Sequence, residues 1–354
     1  MNARALGLAA ALSAAACSSL VAGAQGQGDA AAPDVAPDAV VPPATGSCAF
    51  TLWAGADDGP WQRPPALLAD GDGRALLLVD GESGRVLRVA MDAATTTRLA
   101  PRGYPAGVYG QRLAFDPVRR QVVALIPPSD VALDGFGRYV LTLDARFEAW
   151  TSAVTVNSVV PSARGVFAST FDPVGRRFRV VAGAPLAAWD LPVVDPYTWR
   201  EQGTAEGPRL DFTDHDRPAV WDATRGGVVL LDDARAPYAV WTLGDPPGSW
   251  RRLPATVAPF ADERASLAWD ASRGVAYALT ANGASARVTR LSPDPAVSPR
   301  AVTLALNPGF RVLPEFAIAV AVDAPGRYLY ALLGEAYAPW RWRLYRAPVD
   351  RCFP

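Results

Sequence analysis

One short pattern recurs six times along the chain and constrains its fold more than any other feature. A few apolar residues run into an aspartate, two positions follow, then a pair drawn only from Gly and Arg, and a second apolar run begins. It reads VWDATRGGVVLL from Val220, AWDASRGVAYAL from Ala268, AFDPVRRQVVAL from Ala114 and AVDAPGRYLYAL from Ala321. The aspartates are Asp70, Asp116, Asp172, Asp222, Asp270 and Asp323, separated by 46, 56, 50, 48 and 53 residues. The pairs are Gly73-Arg74, Arg119-Arg120, Gly175-Arg176, Arg225-Gly226, Arg273-Gly274 and Gly326-Arg327. A fixed period of this length marks stacked copies of one small unit.

Each copy reads as a tight β-hairpin. The carboxylate accepts hydrogen bonds from N–H groups just beyond it, closing an Asx-turn. Pro117 and Pro173 pre-set the next φ, and the Gly of the pair is expected to take a positive φ at no steric cost. The flanking runs, such as RLAF with QVVALI or SLAW with GVAYALT, are continuously apolar. Both strands are therefore expected to be buried on both faces. The 33 prolines and 30 glycines suit short strands and turns, not long helices.

Two more strands follow inside each period: RYVLTLD and FEAWTSAV, YAVWTLG and SWRRLPA, ARVTRLS and RAVTLAL. Four antiparallel strands per period of about 50 residues is the content of a propeller blade. The chain from Cys48 to Pro354 thus resembles the kelch-type β-propeller family. The resemblance rests on the apolar-Asp-turn-apolar hairpin and on a Trp-bearing outer strand, as in Gly248-Ser249-Trp250-Arg251-Arg252-Leu253. The family's diglycine after the second strand is absent: that place reads Asp232-Asp233, Gly183-Ala184 or Thr280-Ala281. Trp221-Asp222 and Trp269-Asp270 look like WD-type signatures, but the period is too long and the Gly-His element is missing.

The fold expected is all-β: a six-bladed propeller of four-stranded antiparallel blades. The last blade has only FAIAVAV, YLYALLG and WRWRLYRA, while CAFTLWA, residues 48–54, stands unassigned at the front. The N-terminal strand is expected to complete the last blade. Cys352 then ends where Cys48 begins, and a Cys48–Cys352 disulfide replaces the missing turn; two unpaired buried thiols are the alternative.

Ahead of the propeller, Arg4 and an apolar run from Ala5 to Ala16 have the dimensions of a signal-peptide core, so residues 1–24 read as a signal peptide. SAAAC makes Cys17 a candidate lipidation site of a bacterial lipoprotein, although Ala14 stands where Leu is usual. Ordinary secretion with cleavage after Ala24 is the competing reading. Residues 25–47, rich in Ala, Pro, Asp and Gly, read as a disordered tether. The protein is therefore expected to be exported, as an outer-membrane or cell-surface lipoprotein or else periplasmic or secreted, with membrane contact only through the lipid.

A net charge of -1 argues against a nucleic-acid binder, which needs a basic surface to displace counterions from phosphates. Some kelch-like propellers resemble galactose oxidase, whose copper needs two His and two Tyr, one of them linked to Cys. This chain has one histidine, His215, and its two propeller cysteines already have a role. The sialidase Asp-box is approached only by STFDPVGRRF, and no spacing singles out an Arg triad. DGDGRALLLVDG begins like a calcium loop, but Arg74 replaces a ligand and the twelfth-position Glu is missing, so a hairpin turn is expected. No cofactor and no metal site are expected.

The remaining candidates are charged residues just ahead of the inner strands, whose loops converge on one mouth of a propeller channel. They are Arg112, Arg164, Arg217, Arg264 and Glu315, with Asp214, His215 and Asp216 from LDFTDHDRPA and Glu263 one blade on. Arginines there can grip carboxylate, sulfate or phosphate; alternatively these charges pair with one another and solvate a loop. The function expected is a non-enzymatic, monomeric cell-envelope module presenting its channel face to an unidentified protein or glycan. A carbohydrate-active enzyme is the alternative, and a purely structural envelope protein the third.

Overall fold

The computed structural model describes residues 48–59, 65–81, 83–105, 112–126, 139–156, 166–182, 186–204, 217–232, 237–257, 265–283, 285–294, 296–306, 310–312, 318–323, 327–335 and 340–354. They form six four-stranded antiparallel sheets. Blade 1 is β2 (Ala66–Asp70), β3 (Ala75–Val79), β4 (Val86–Ala90) and β5 (Thr96–Leu99). Blade 2 is β6 (Arg112–Asp116), β7 (Gln121–Ile126), β8 (Tyr139–Leu143) and β9 (Trp150–Val154). Blade 3 is β10 (Val166–Asp172), β11 (Arg177–Ala182), β12 (Ala187–Pro192) and β13 (Arg200–Thr204). Blade 4 is β14 (Ala219–Trp221), β15 (Gly227–Asp232), β16 (Tyr238–Gly244) and β17 (Arg251–Val257). Blade 5 is β18 (Ala265–Asp270), β19 (Val275–Asn282), β20 (Ser285–Leu291) and β21 (Arg300–Ala305). Blade 6 is β22 (Ile318–Val322), β23 (Tyr328–Gly334), β24 (Trp340–Pro348) and β1 (Thr51–Gly59) from the start of the propeller. The first strands of successive blades touch in turn, and β22 touches β2, so the ring closes. The protein is a six-bladed β-propeller.

The recurring aspartate sits between the first two strands of every blade, with Asp70, Asp116, Asp172, Asp222 and Asp270 buried and Asp323 half-buried. One carboxylate oxygen caps the turn. Asp116 accepts from the N–H groups of Val118 and Arg119, Asp172 from Val174 and Gly175, Asp222 from Thr224 and Arg225, and Asp270 from Ser272 and Arg273. In blades 1 to 5 the positive φ falls on the second member of the pair, so the expectation for glycine holds at Gly226 and Gly274 and fails at Gly73 and Gly175. Arg74, Arg120 and Arg176 have φ of 46°, 51° and 48°, and Gly226 and Gly274 have 64° and 63°. Gly73 and Gly175 serve differently, because a Cβ on either would run into the carboxylate of Asp70 or Asp172.

Burial also departs from the expectation of two equally covered strands. Second strands are buried almost throughout, as in β3, β15 and β19, whereas first strands alternate between buried and half-buried residues. A second strand has blades on both faces; a first strand has the channel at its flank. Six apolar clusters follow, one at each blade boundary. Alternate residues of one strand serve opposite boundaries, as the period of two requires: Leu77 and Val79 pack towards blade 2, Leu76 and Leu78 towards blade 6.

The N-terminal strand closes the ring as expected, pairing antiparallel with β24 from Thr51↔Arg346 to Gly59↔Trp340, which is five residues beyond the predicted end. Arg346 lies over the rings of Trp53 and Tyr328, 3.3 and 4.4 Å from their centroids, and so clamps three strands of blade 6. After β24 a short helix, α1 (Val349–Cys352), seats Cys352 and Phe353 in the boundary of blades 5 and 6. Cys352 is disulfide-bonded to Cys48, Cα–Cα 4.7 Å. The bond ties ends 304 residues apart in sequence, and chain entropy assigns such a loop about 6 kcal/mol. Removing native disulfides costs less than the full loop entropy, so reducing the protein, or replacing both cysteines by Ser, is expected to lower the unfolding free energy by about 4–5 kcal/mol. Urea melts with and without reductant measure this, and amide exchange in β1 should accelerate first.

Candidate functional site

The residue before each turn aspartate must point to the opposite side of its strand from the buried carboxylate. In blades 2 to 5 that residue is Phe115, Phe171, Trp221 and Trp269, and all four line a cavity of about 430 Å³ between the first strands. Its wall runs from Arg112, the first residue of β6, to Pro173, Ala223 and Ala271 just beyond the turn aspartates. It therefore follows the central channel along the length of those strands. Arg112, Ser169 and Thr170 are its polar lining residues. Aromatic faces beside hydroxyls and one cation can stack a planar ring or the apolar face of a sugar while hydrogen-bonding its edge.

The carboxylates next to this wall are already committed. Asp70 accepts from Arg120 of blade 2 at 2.8 Å, and Asp116 from Arg176 of blade 3 at 2.9 Å. Asp222 and Asp270 take the Arg of their own turns, Arg225 at 3.3 Å and Arg273 at 2.8 Å. Each also caps its turn through its other oxygen. Among the described residues no three His, Cys, Asp or Glu side chains gather as a metal set.

Behind Trp221 lies a cluster of two arginines and three aspartates, in the boundary of blades 3 and 4. Arg179 is fully buried and pairs with Asp190, its cross-strand partner between β11 and β12, and with Asp245 of blade 4 at 3.0 Å. Arg177 bonds Asp172 at 3.1 Å, Asp190 at 2.7 Å and also Asp245. Both guanidinium groups face the Trp221 ring, 5.4 and 5.5 Å from its centroid. Burial works against a charge on Asp245, but the hydrogen bonds from Arg179 and Arg177 outweigh it and hold the carboxyl below its ordinary value of 3.8.

Of the residues singled out in the sequence, Arg112 lines the channel, half-buried. Arg217 bridges to Ala168 of blade 3 and is 2% exposed, with its guanidinium 3.0 Å from Asp232 at the end of β15. Arg164, Asp214, His215, Asp216, Glu263, Arg264, Glu315 and Cys17 lie outside the described residues, as do the leader and the tether. What the sequence reading did not single out is the aromatic wall and the ion cluster. The signal for the cluster was an Arg at 179, inside a type of strand that is apolar in the other blades, facing an Asp at 190.

No family model matches the chain, and no curated protein is similar to it. Solved structures are. A structural genomics protein of unknown function from Bacteroides thetaiotaomicron is 12% identical with a TM-score of 0.52, over 88% of this chain and 72% of that one. A gluconolactonase candidate is 11% identical, TM-score 0.51, over 85% and 93%. A luciferin-regenerating enzyme is 13% identical, TM-score 0.50, over 82% and 93%. At such identity the likeness is one of fold.

The Asp245 carboxyl gives the cluster a pH signature. A lowered folded-state value means that its contribution is complete above about pH 4 and is lost as pH falls through that lowered value. Urea melts between pH 6 and 2.5 should show stability falling on acidification more steeply in the wild type than in Asp245→Asn. Equal slopes would remove Asp245 from the account.

Proposed function

We propose that the protein is a non-enzymatic binding module whose central channel takes the ring of a small or terminal glycan unit. The observation that carries this is the wall of Phe115, Phe171, Trp221 and Trp269 around a cavity of about 430 Å³. Aromatic faces are suited to sugar rings, and Ser169, Thr170 and Arg112 offer edge hydrogen bonds. The turn carboxylates capped by backbone N–H groups and arginines favour binding over glycan cleavage, which needs a pair of carboxyls with separate proton tasks. A channel of this size suits a ring better than a protein surface.

The module acts as a monomer at the cell envelope. The Cys48–Cys352 bond supports an oxidising compartment, and the leader and Cys17 support export with a lipid anchor. The kelch-type affiliation rests on the Asp hairpin and on outer strands preceded or opened by Trp, as at Trp150, Trp199 and Trp250.

A panel of 4-nitrophenyl glycosides tests the reading in one assay. Binding in the channel quenches tryptophan emission saturably, and Trp269→Ala, measured below its lowered thermal midpoint, should weaken it about tenfold, roughly 1.4 kcal/mol. Absence of saturable quenching across the panel sinks the glycan reading, and release of 4-nitrophenolate turns it to the enzyme.

A further inference from the structure

We propose that Arg177 and Arg179 are positioning residues for the channel: the ion cluster between blades 3 and 4 fixes the Trp221 ring as one wall of the cavity. The inference deepens the binding role proposed above and rests on it. Trp221 is 6% exposed and belongs both to the channel lining and to the apolar boundary of blades 3 and 4. Two cations face this one ring, and each is held from both blades. Arg179 is tied to Asp190 of blade 3 and Asp245 of blade 4, and Arg177 to Asp172 and Asp190 on one side and Asp245 on the other.

Filling the boundary does not by itself require these charges. At the position equivalent to Arg179 the second strands of the other blades carry Leu77, Val123, Val229, Tyr277 and Tyr330, and a buried ion pair is seldom more stabilising than apolar side chains of similar volume. Among the described residues Arg179 Nη1 is buried without a hydrogen-bond partner, a poor arrangement for packing alone. What the cluster adds is orientation. A guanidinium held by two carboxylates has little rotational freedom, and two of them against one ring define where that ring stands. A ligand stacking on Trp221 meets a surface already in place, which lowers the ordering cost of binding.

The test uses the full-length protein labelled with 5-fluorotryptophan, with the Trp221 resonance identified by its loss in Trp221→Phe. Arg179→Met and Arg177→Met are expected to broaden or split the Trp221 line, and Arg179→Lys to restore it in part. Affinity for 4-nitrophenyl β-D-glucopyranoside should drop about three- to tenfold in both Met variants. A Trp221 line that shifts but stays single and sharp in folded Met variants overturns the proposal, because losing a nearby cation shifts a resonance without freeing the ring. If Arg179→Met does not fold, Arg177→Met decides, since Arg177 reaches the surface. Failure of the wild type to bind the glycoside counts against the channel reading, while the line shapes still judge the positioning role.

Discussion

A buried aspartate at the end of the first strand in blades 1 to 5 is the constraint on which those blades depend. A carboxylate removed from water is costly unless both oxygens are satisfied, and here the two oxygens divide the task. One accepts the N–H groups of its own turn and fixes the hairpin; the other meets an arginine. For Asp70 and Asp116 that arginine belongs to the following blade, so one side chain defines a turn and joins it to its neighbour. The apolar clusters supply most of the boundary, but they are non-directional. The aspartate gives them register.

The same side chain decides what the channel is made of. With the carboxylate turned into one blade boundary, the preceding residue is directed to the boundary on the other side, and the chain places four aromatics in succession where those boundaries meet the channel. This part of the site was legible only after the hairpin register had been understood. In the sequence, Phe115 and Phe171 read as ordinary strand residues, and Trp221-Asp222 and Trp269-Asp270 resembled a dipeptide signature of another repeat family. The blade count, the strand order and the closing disulfide were legible, because each follows from counting a repeat and finding one strand missing. The channel-mouth arginines show the limit of that method. Arg217 does stand ahead of a first strand, yet its guanidinium bonds Asp232 almost out of reach of solvent, and no spacing rule distinguishes a charge aimed at a ligand from one aimed at its own blade.

The turn pair shows a related limit. Sequence order suggested that glycine was there for its left-handed backbone, whereas that conformation belongs to the second position of the pair and is occupied by arginine in three turns. A left-handed arginine is strained relative to glycine, and at Arg120 and Arg176 the ion pair with the previous blade offsets that strain. Where the second position is glycine, at 226 and 274, the reach back is lost and the strain with it.

That loss accounts for the asymmetry of the ring. Gly226 leaves Asp172 without an arginine from blade 4, and Arg177 of its own blade takes the place. A guanidinium has donors to spare after one carboxylate, and Arg177 uses them on Asp190 and on Asp245 of blade 4. Two further carboxylates with one arginine would leave an excess of negative charge in a nearly dry boundary. Arg179 supplies the second cation and shares both acceptors. The Gly for Arg at 226 is thus met by a cluster of five ions in the boundary behind it, and that cluster faces Trp221. The boundary of blades 4 and 5 meets the same loss at Gly274 more simply, because Arg225 folds back on Asp222 within its own turn. Only the first solution brings two fixed cations against an aromatic wall of the channel, which is why the ring is chemically distinct at blade 3 although its strands repeat six times.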